Sequence, residues 1–349
     1  MVGEALEQGT LNVPCAGLLT GAWRLATARA ISRKLRWPAH VRVVAVGGAT
    51  LGGSGKTPLA VACAAKLAQA GASVVLVGHA YRAAPRLARV VTETDAVDQV
   101  GDEALVAVAA LRGSGARVVV APTRQAAIDL GARLGRVLVL DGVSQTSPVR
   151  ASLALLSVDA VRPWGLSRAL PPRGDLRAYP SELVDVCDVV VPVGDPPAYR
   201  STGQDGIPPT RDISPAHIVG RGAQGATGEL LSWAALERAP VGLITALAHP
   251  ERVSRWLASR GLRPHIVLRG ADHGPLGSDV LQKAARAARE AGIALWLATP
   301  KCSVHVARVA GPQIGAAKGQ ALGAPLAILE HALVLSPSLV TRLEALAAP

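Results

Sequence analysis

Val41–Pro58, VRVVAVGGATLGGSGKTP, runs from a Val-rich apolar segment through a glycine-rich turn into Lys56, Thr57 and an Ala/Leu-rich segment. A polyphosphate requires closely approaching backbone N–H groups, a positive charge and a hydroxyl for a divalent cation. Gly52, Gly53 and Gly55, with Ser54 among them, permit the approach; Lys56 supplies the charge and Thr57 the hydroxyl. The strict form of such a P-loop has glycine where Thr50 stands. The plain alternative is a flexible glycine loop, which needs no lysine. Downstream, Arg136–Asp141, RVLVLD, is an apolar strand ending in a carboxylate, the form expected of the acid that holds Mg²⁺ or its water beside a P-loop. Alone, such an Asp also suits a turn.

Working outward, short Val-rich runs alternate with longer Ala/Leu-rich ones: Val41–Val46, Pro58–Ala70, Ser73–Val77, Asp102–Leu111, Arg117–Ala121, Gln125–Leu134 and Arg136–Leu140, with a further strand at the end of Leu183–Val193. This βαβα rhythm predicts a parallel sheet covered on both faces. Residues 207–228, rich in Pro, Gly and polar residues, read as a connection between domains, with the boundary near Arg221. Beyond it the alternation resumes through Val241–Ala246, Pro250–Arg260, His265–Leu268, Leu281–Ala291, Ala294–Ala298 and Leu326–Val334. The expected architecture is α/β: a P-loop NTPase-like parallel-sheet domain over residues 39–220 and a second, smaller α/β domain over 221–349, preceded by a segment of residues 1–38.

The 349 residues carry 37 Lys and Arg against 25 Asp and Glu, a formal charge of +12, which favours anionic partners. The sequence holds no recognisable nucleic-acid module and no basic stripe interleaved with aromatics, so nucleic acid is not expected. Phe is absent, so Ala, Val and Leu fill the interior. Cys15, Cys63, Cys187 and Cys302 lack CxxC spacing, which argues against a zinc site or a disulfide framework. Glu4 and Glu7 precede any apolar stretch, unlike a signal peptide, and no run is long enough to span a bilayer. A cytosolic protein, or one attached to the cytosolic side of a membrane, is expected.

GGATLGGSGKTP, from Gly47, resembles the GNxTxGGTGKTP loop of the tetraacyldisaccharide 4′-kinases, a family that itself has Thr in place of the first glycine. Further segments resemble that family's blocks in the same order: VGDEALVAV from Val100, VVVAPTRQAA from Val118, LPPRGDLRAYP from Leu170, ITALAHPERVSRWLASRGL from Ile244, ADHGPLGSDVL from Ala271 and LATPKCSVH from Leu297. The resemblance implies ATP and Mg²⁺ as cofactors and a membrane-embedded disaccharide lipid as acceptor. It places Thr50, Gly52, Gly53, Ser54, Gly55, Lys56 and Thr57 around ATP, with Thr57 and Asp141 at the metal. Lys56 also acts in catalysis, Asp102 as base and His273 as its partner, and Glu103, Arg124 and Arg177 serve the substrate. A carboxylate oriented by an imidazole can take the proton of a sugar hydroxyl as the phosphoryl group arrives. Each residue has a plainer reading: Asp102 and Glu103 as first-turn helix acids, His273 as a turn residue, Arg124 and Arg177 as solvated charges.

The family's DDGLQH block reads here as Asp141-Gly142-Val143-Ser144-Gln145 after Leu140, with one Asp and the His missing. Ala178 replaces a Glu, His79-Ala80-Tyr81 stands for RGY, and Pro300 and Cys302 replace both acids of TEKD. These losses leave open a non-catalytic ATP-binding homologue, or an NTPase acting on a soluble substrate. Ala16–Trp37 intersperses Leu18, Leu19, Trp23, Leu25, Ile31, Leu35 and Trp37 with Arg24, Arg29, Arg33, Lys34 and Arg36. A basic amphipathic helix with tryptophans suits an anionic membrane surface, and equally a helix packed on the sheet. The resemblance favours the membrane and a peripheral place on the cytoplasmic face of the bacterial inner membrane. No protein partner is expected.

Overall fold

The computed structural model describes residues 14–31, 33–78, 80, 83–143, 146–195, 211–247, 250–270, 278–310 and 322–348. These form two compact units, one of residues up to Ile218 together with Leu333 onward, the other Val219–Ala332. The C-terminal segment from Leu333 onward thus belongs with the first unit.

The first unit opens with helix α1 (Ala16–Ile31) and strands β1 (Arg33–Leu35) and β2 (Arg42–Gly48). Then come α2 (Lys56–Gln69), β3 (Val74–Val77), β4 (Arg89–Val90), α3 (Val97–Val100), α4 (Asp102–Ala110), β5 (Arg117–Val120), α5 (Arg124–Leu134) and β6 (Val137–Asp141). It continues with β7 (Thr146–Pro148), β8 (Leu153–Asp159), α6 (Pro180–Asp185) and β9 (Val189–Gly194). The main sheet has the order β9-β8-β2-β6-β3-β5-β4, parallel throughout except for the edge strand β4. Both faces are covered, as parallel sheets require. Val44 and Val46 of β2 face Leu59, Cys63 and Leu67 of α2, whereas Val43 and Ala45 face the opposite cluster with Ile128 of α5. The period of two along a strand produces that split. The C-terminal helix α11 (Pro337–Ala347) buries Leu339 and Leu343, four residues apart on one face, in the α2 cluster.

Two elements depart from the sequence reading. The run LALLSVD, left unassigned by the alternation, forms β8 and pairs with the P-loop strand from Val44↔Leu153 to Gly48↔Ser157. Residues 216–224, read as part of a connection, form β11 (Ala216–Gln224), after the short β10 (Asp212–Ile213). The glycines there mask a strand whose Ala216 and His217 pair with β9. The N-terminal segment also differs from a single helix reaching Trp37. Helix α1 ends at Ile31, Arg33–Leu35 pairs in parallel with β7, and Leu35 and Trp37 join the sheet's core cluster.

In the second unit β12 (Leu230–Leu231) turns back on β11, followed by α7 (Trp233–Glu237), β13 (Val241–Thr245), α8 (Pro250–Ala258) and β14 (Ile266–Arg269). After α9 (Ser278–Glu290), β15 (Leu295–Ala298), α10 (Pro300–Ala310) and β16 (Leu326–Leu335), the parallel order is β14-β13-β15-β16. Gly242 is required here because a Cβ would stand 2.2 Å from the fully buried Trp296 ring.

Candidate active site

The loop after β2 lies at the C-terminal edge of the parallel sheet, where open α/β folds bind ligands. It enters α2 through Gly55, whose left-handed backbone (φ 81°, ψ 12°) caps the helix with no side-chain hydrogen bond. The first-turn N–H groups of α2 are therefore not claimed by a capping side chain, the arrangement that receives phosphate. Gly53 also has positive φ, 70°. The loop is folded tightly on itself: a Cβ on Gly48 would stand 2.3 Å from Ser54 Oγ and 3.4 Å from Lys56 Cδ. Thr50, a glycine in the strict pattern, is buried and donates its hydroxyl to Gly52 O at 2.6 Å.

Asp141 ends β6 in register with Val46. Thr57 Oγ1 donates to Asp141 Oδ2 at 2.7 Å, while Asp141 Oδ1 is buried without a hydrogen-bond partner among the described residues. Burial raises the Asp141 carboxyl above its ordinary pKa; nearby Lys56 opposes this, Glu103 adds to it, and the Thr57 hydrogen bond and Arg124 oppose it. The expected residues Lys56, Thr57, Glu103, Arg124 and Asp141 therefore come together at one edge of the sheet. A hydroxyl paired to a carboxylate with a spare buried oxygen suits a hard divalent cation, which takes oxygen ligands.

Asp102 opens α4 after Gly101 (φ 88°) and is buried, with Oδ1 accepting from Glu103 N–H at 2.8 Å. It does receive a first-turn N–H, as the plainer reading has it, yet it is not a solvated helix acid. Arg124 is half-buried at the start of α5, after Thr123, whose hydroxyl caps the helix through Ala126 N–H. Its guanidinium donates to Val77 O and Gly78 O at the end of β3. Arg177 is half-buried too and donates from Nε to Thr50 O at 2.8 Å and from Nη2 to Leu51 O at 3.3 Å. Neither arginine is a purely solvated charge. His273 and Gln145 lie outside the described residues.

A model of the tetraacyldisaccharide-1-P 4′-kinases matches residues 11–345. The chain belongs to that family. Among curated 4′-kinase relatives, the tetraacyldisaccharide 4′-kinase of Anaeromyxobacter sp. (strain Fw109-5) is 32% identical over 298 residues, spanning 80% of this chain and 78% of its own. That of Jannaschia sp. (strain CCS1) is 30% identical over 291 residues, spanning 81% of each. The 4′-kinase fold is shared with LpxK from Aquifex aeolicus, whose crystal structure is in complex with ATP: the TM-score is 0.66 at 16% identity, over 95% of this chain and 98% of that one.

Within this 4′-kinase, sequence reasoning missed three residues that shape the loop. Ser157 of β8, fully buried, donates its hydroxyl to Ser54 O at 2.5 Å. Val193 of β9 packs where a Cβ on Gly55 would stand. Trp23 of α1 contacts the segment that carries Arg177. No local pattern signals them, because each acts through a neighbour distant in sequence.

Proposed function

We propose that this chain transfers the γ-phosphate of ATP to the 4′-hydroxyl of a tetraacyldisaccharide 1-phosphate, giving a bisphosphorylated lipid A precursor. The observation that carries the reading is the uncapped start of α2 beside the Thr57–Asp141 pair, in a chain that belongs to the 4′-kinase family. ATP seats its phosphates on the N–H groups that follow Gly52, Gly53 and Gly55, with Ser54, Thr50 and Lys56 around them. The Thr57 hydroxyl and Asp141 would hold Mg²⁺, which would supply positive charge against the phosphates of ATP. Asp102 takes the proton of the 4′-hydroxyl as its oxygen bonds to the γ-phosphorus, and the bond from that phosphorus to the bridging oxygen of ADP breaks. His273 orients Asp102. Lys56 and Arg124 face the charge on the transferred group, and Glu103 and Arg177 complete the substrate side.

The loss of one carboxylate beside Asp141 is compatible with this chemistry, because Glu103 lies near enough to influence Asp141. The enzyme acts as a peripheral protein at the cytoplasmic face of the inner membrane, with α1 on the anionic surface. Supporting this, Leu18, Leu19 and Leu25 of α1 are exposed (76%, 47% and 67%), and no described helix is long and apolar enough to cross a membrane. The test is phosphate transfer from labelled ATP to tetraacyldisaccharide 1-phosphate in detergent micelles, with wild type, Lys56→Ala and Asp102→Ala. Product from wild type and its loss in both variants is the expected outcome; a folded, ATP-binding wild type that makes no product overturns the kinase reading. Flotation with anionic liposomes tests the surface role, which fails if deleting residues 1–38 leaves co-flotation undiminished.

A further inference from the structure

The phosphate loop is gripped from behind by residues 175–177. Leu51 N–H donates to Asp175 O at 2.8 Å, Arg177 N–H donates to Ala49 O at 2.9 Å, and Thr50 forms an antiparallel bridge with Leu176. The Arg177 guanidinium adds its donations to Thr50 O and Leu51 O. This strap is held in turn by α1. Trp23 Nε1 donates to Arg177 O at 3.1 Å, and Thr20 Oγ1 donates to Pro171 O at 3.1 Å. Arg24 pairs with Glu182 at 3.2 Å and lies 5.0 Å from the centroid of the Tyr179 ring. The Trp23 ring packs against the cluster of Ala49, Leu176, Ala178 and Leu183, which includes the residue that begins the loop.

We infer that Trp23 is a positioning residue for the nucleotide: by fixing the Arg177 carbonyl it sets the strap that fixes Thr50 and Leu51, so the seating of α1 tunes ATP affinity. The chain of contact is short. One indole N–H reaches the backbone of the residue whose side chain and N–H both bind the loop. Arg177 has two jobs in this arrangement, and its backbone placement decides where its guanidinium can reach. A tryptophan that only packed would be replaceable by another aromatic ring, whereas a donor to a half-buried carbonyl is not. The inference rests on the reading that this loop holds the phosphates of ATP.

The test measures ATP affinity of the full-length protein by calorimetry, and steady-state KM and kcat for ATP, in wild type, Trp23→Phe, Trp23→Ala and Lys56→Ala. Phenylalanine keeps most of the ring and lacks the N–H. Loss of one such hydrogen bond predicts about a fivefold weaker ATP affinity and a matching rise in KM for ATP. kcat at saturating ATP should stay within about twofold, a split between kcat and the KM for ATP that a general loss of structure does not produce. Trp23→Ala should weaken ATP further; if it fails to fold, Trp23→Phe still decides. Unchanged ATP affinity in Trp23→Phe, with Lys56→Ala impaired, overturns this inference and leaves the phosphate loop standing. Unchanged affinity in Lys56→Ala removes the loop reading and the inference with it.

Discussion

Replacing Gly55 by alanine tests whether the loop is wedged as well as bent. The backbone at Gly55 is left-handed, with φ +81°, which costs a residue bearing a Cβ about 1–2 kcal/mol. That Cβ would stand 2.8 Å from Val193 Cγ1 and 3.0 Å from Val193 Cβ, closer than side chains approach in cores. Val193 is buried at the end of β9, so relief needs a shift of loop or strand, at about 1–3 kcal/mol. Gly55→Ala should thus destabilise the apo protein by about 2–5 kcal/mol. It should also weaken ATP at least about tenfold, because turning Gly55 re-aims the first N–H groups of α2. Val193→Ala alone should cost about 2 kcal/mol for the lost methyl groups. The double variant should recover the steric share, giving a coupling of about 1–3 kcal/mol, and keep the backbone share. The assay is urea denaturation of the four apo proteins with ATP titrations of each. Additivity within about 0.5 kcal/mol would show that Val193 does not confine the loop and would refute the argument.

Asp141→Asn should abolish the Mg²⁺-dependent part of ATP binding while leaving the apo protein as stable as wild type or more so, read by thermal shift in chelator. Burial raises the Asp141 pKa in the fold, so the unfolded chain ionises first as pH rises. Stability from this group is therefore greatest below the ordinary carboxyl pKa of about 4 and declines as pH rises toward the folded value. The advantage of the Asn variant should grow over that range, and an advantage that shrinks instead would refute the sign. Cys15 is exposed, Cys63 and Cys302 are fully buried, and burial pushes the thiols of Cys63 and Cys187 up to about 12. A thiol reagent at pH 8 should label one cysteine per native chain and four after unfolding; early labelling of Cys63 would show that the α2 face opens.

The phosphate loop and the carboxylate after β6 were legible in the sequence because each is local. Consecutive N–H groups in one turn and an acid at a strand end need no distant partner to be recognised. The same locality made β2, α2, β3, α4, β5, α5 and β6 readable from their apolar period and turn residues. Strand β8 escaped because a short apolar run cannot be told from other buried segments by periodicity alone. Strand β11 escaped because its glycines read as a linker, and its pairing with β9 lies outside its own sequence. Glu103 and Arg124 could be named from order and resemblance, but their nearness to Lys56, Thr57 and Asp141 depends on which strands lie side by side. The bonds from Ser157, Arg177 and Trp23 join residues more than one hundred positions apart. Residue types and local turns thus determine the glycine turn and the strand-end acid; the order of the strands and the packing of α1 against residues 171–182 decide what stands beside them, because long-range contacts exist only once the sheet has closed.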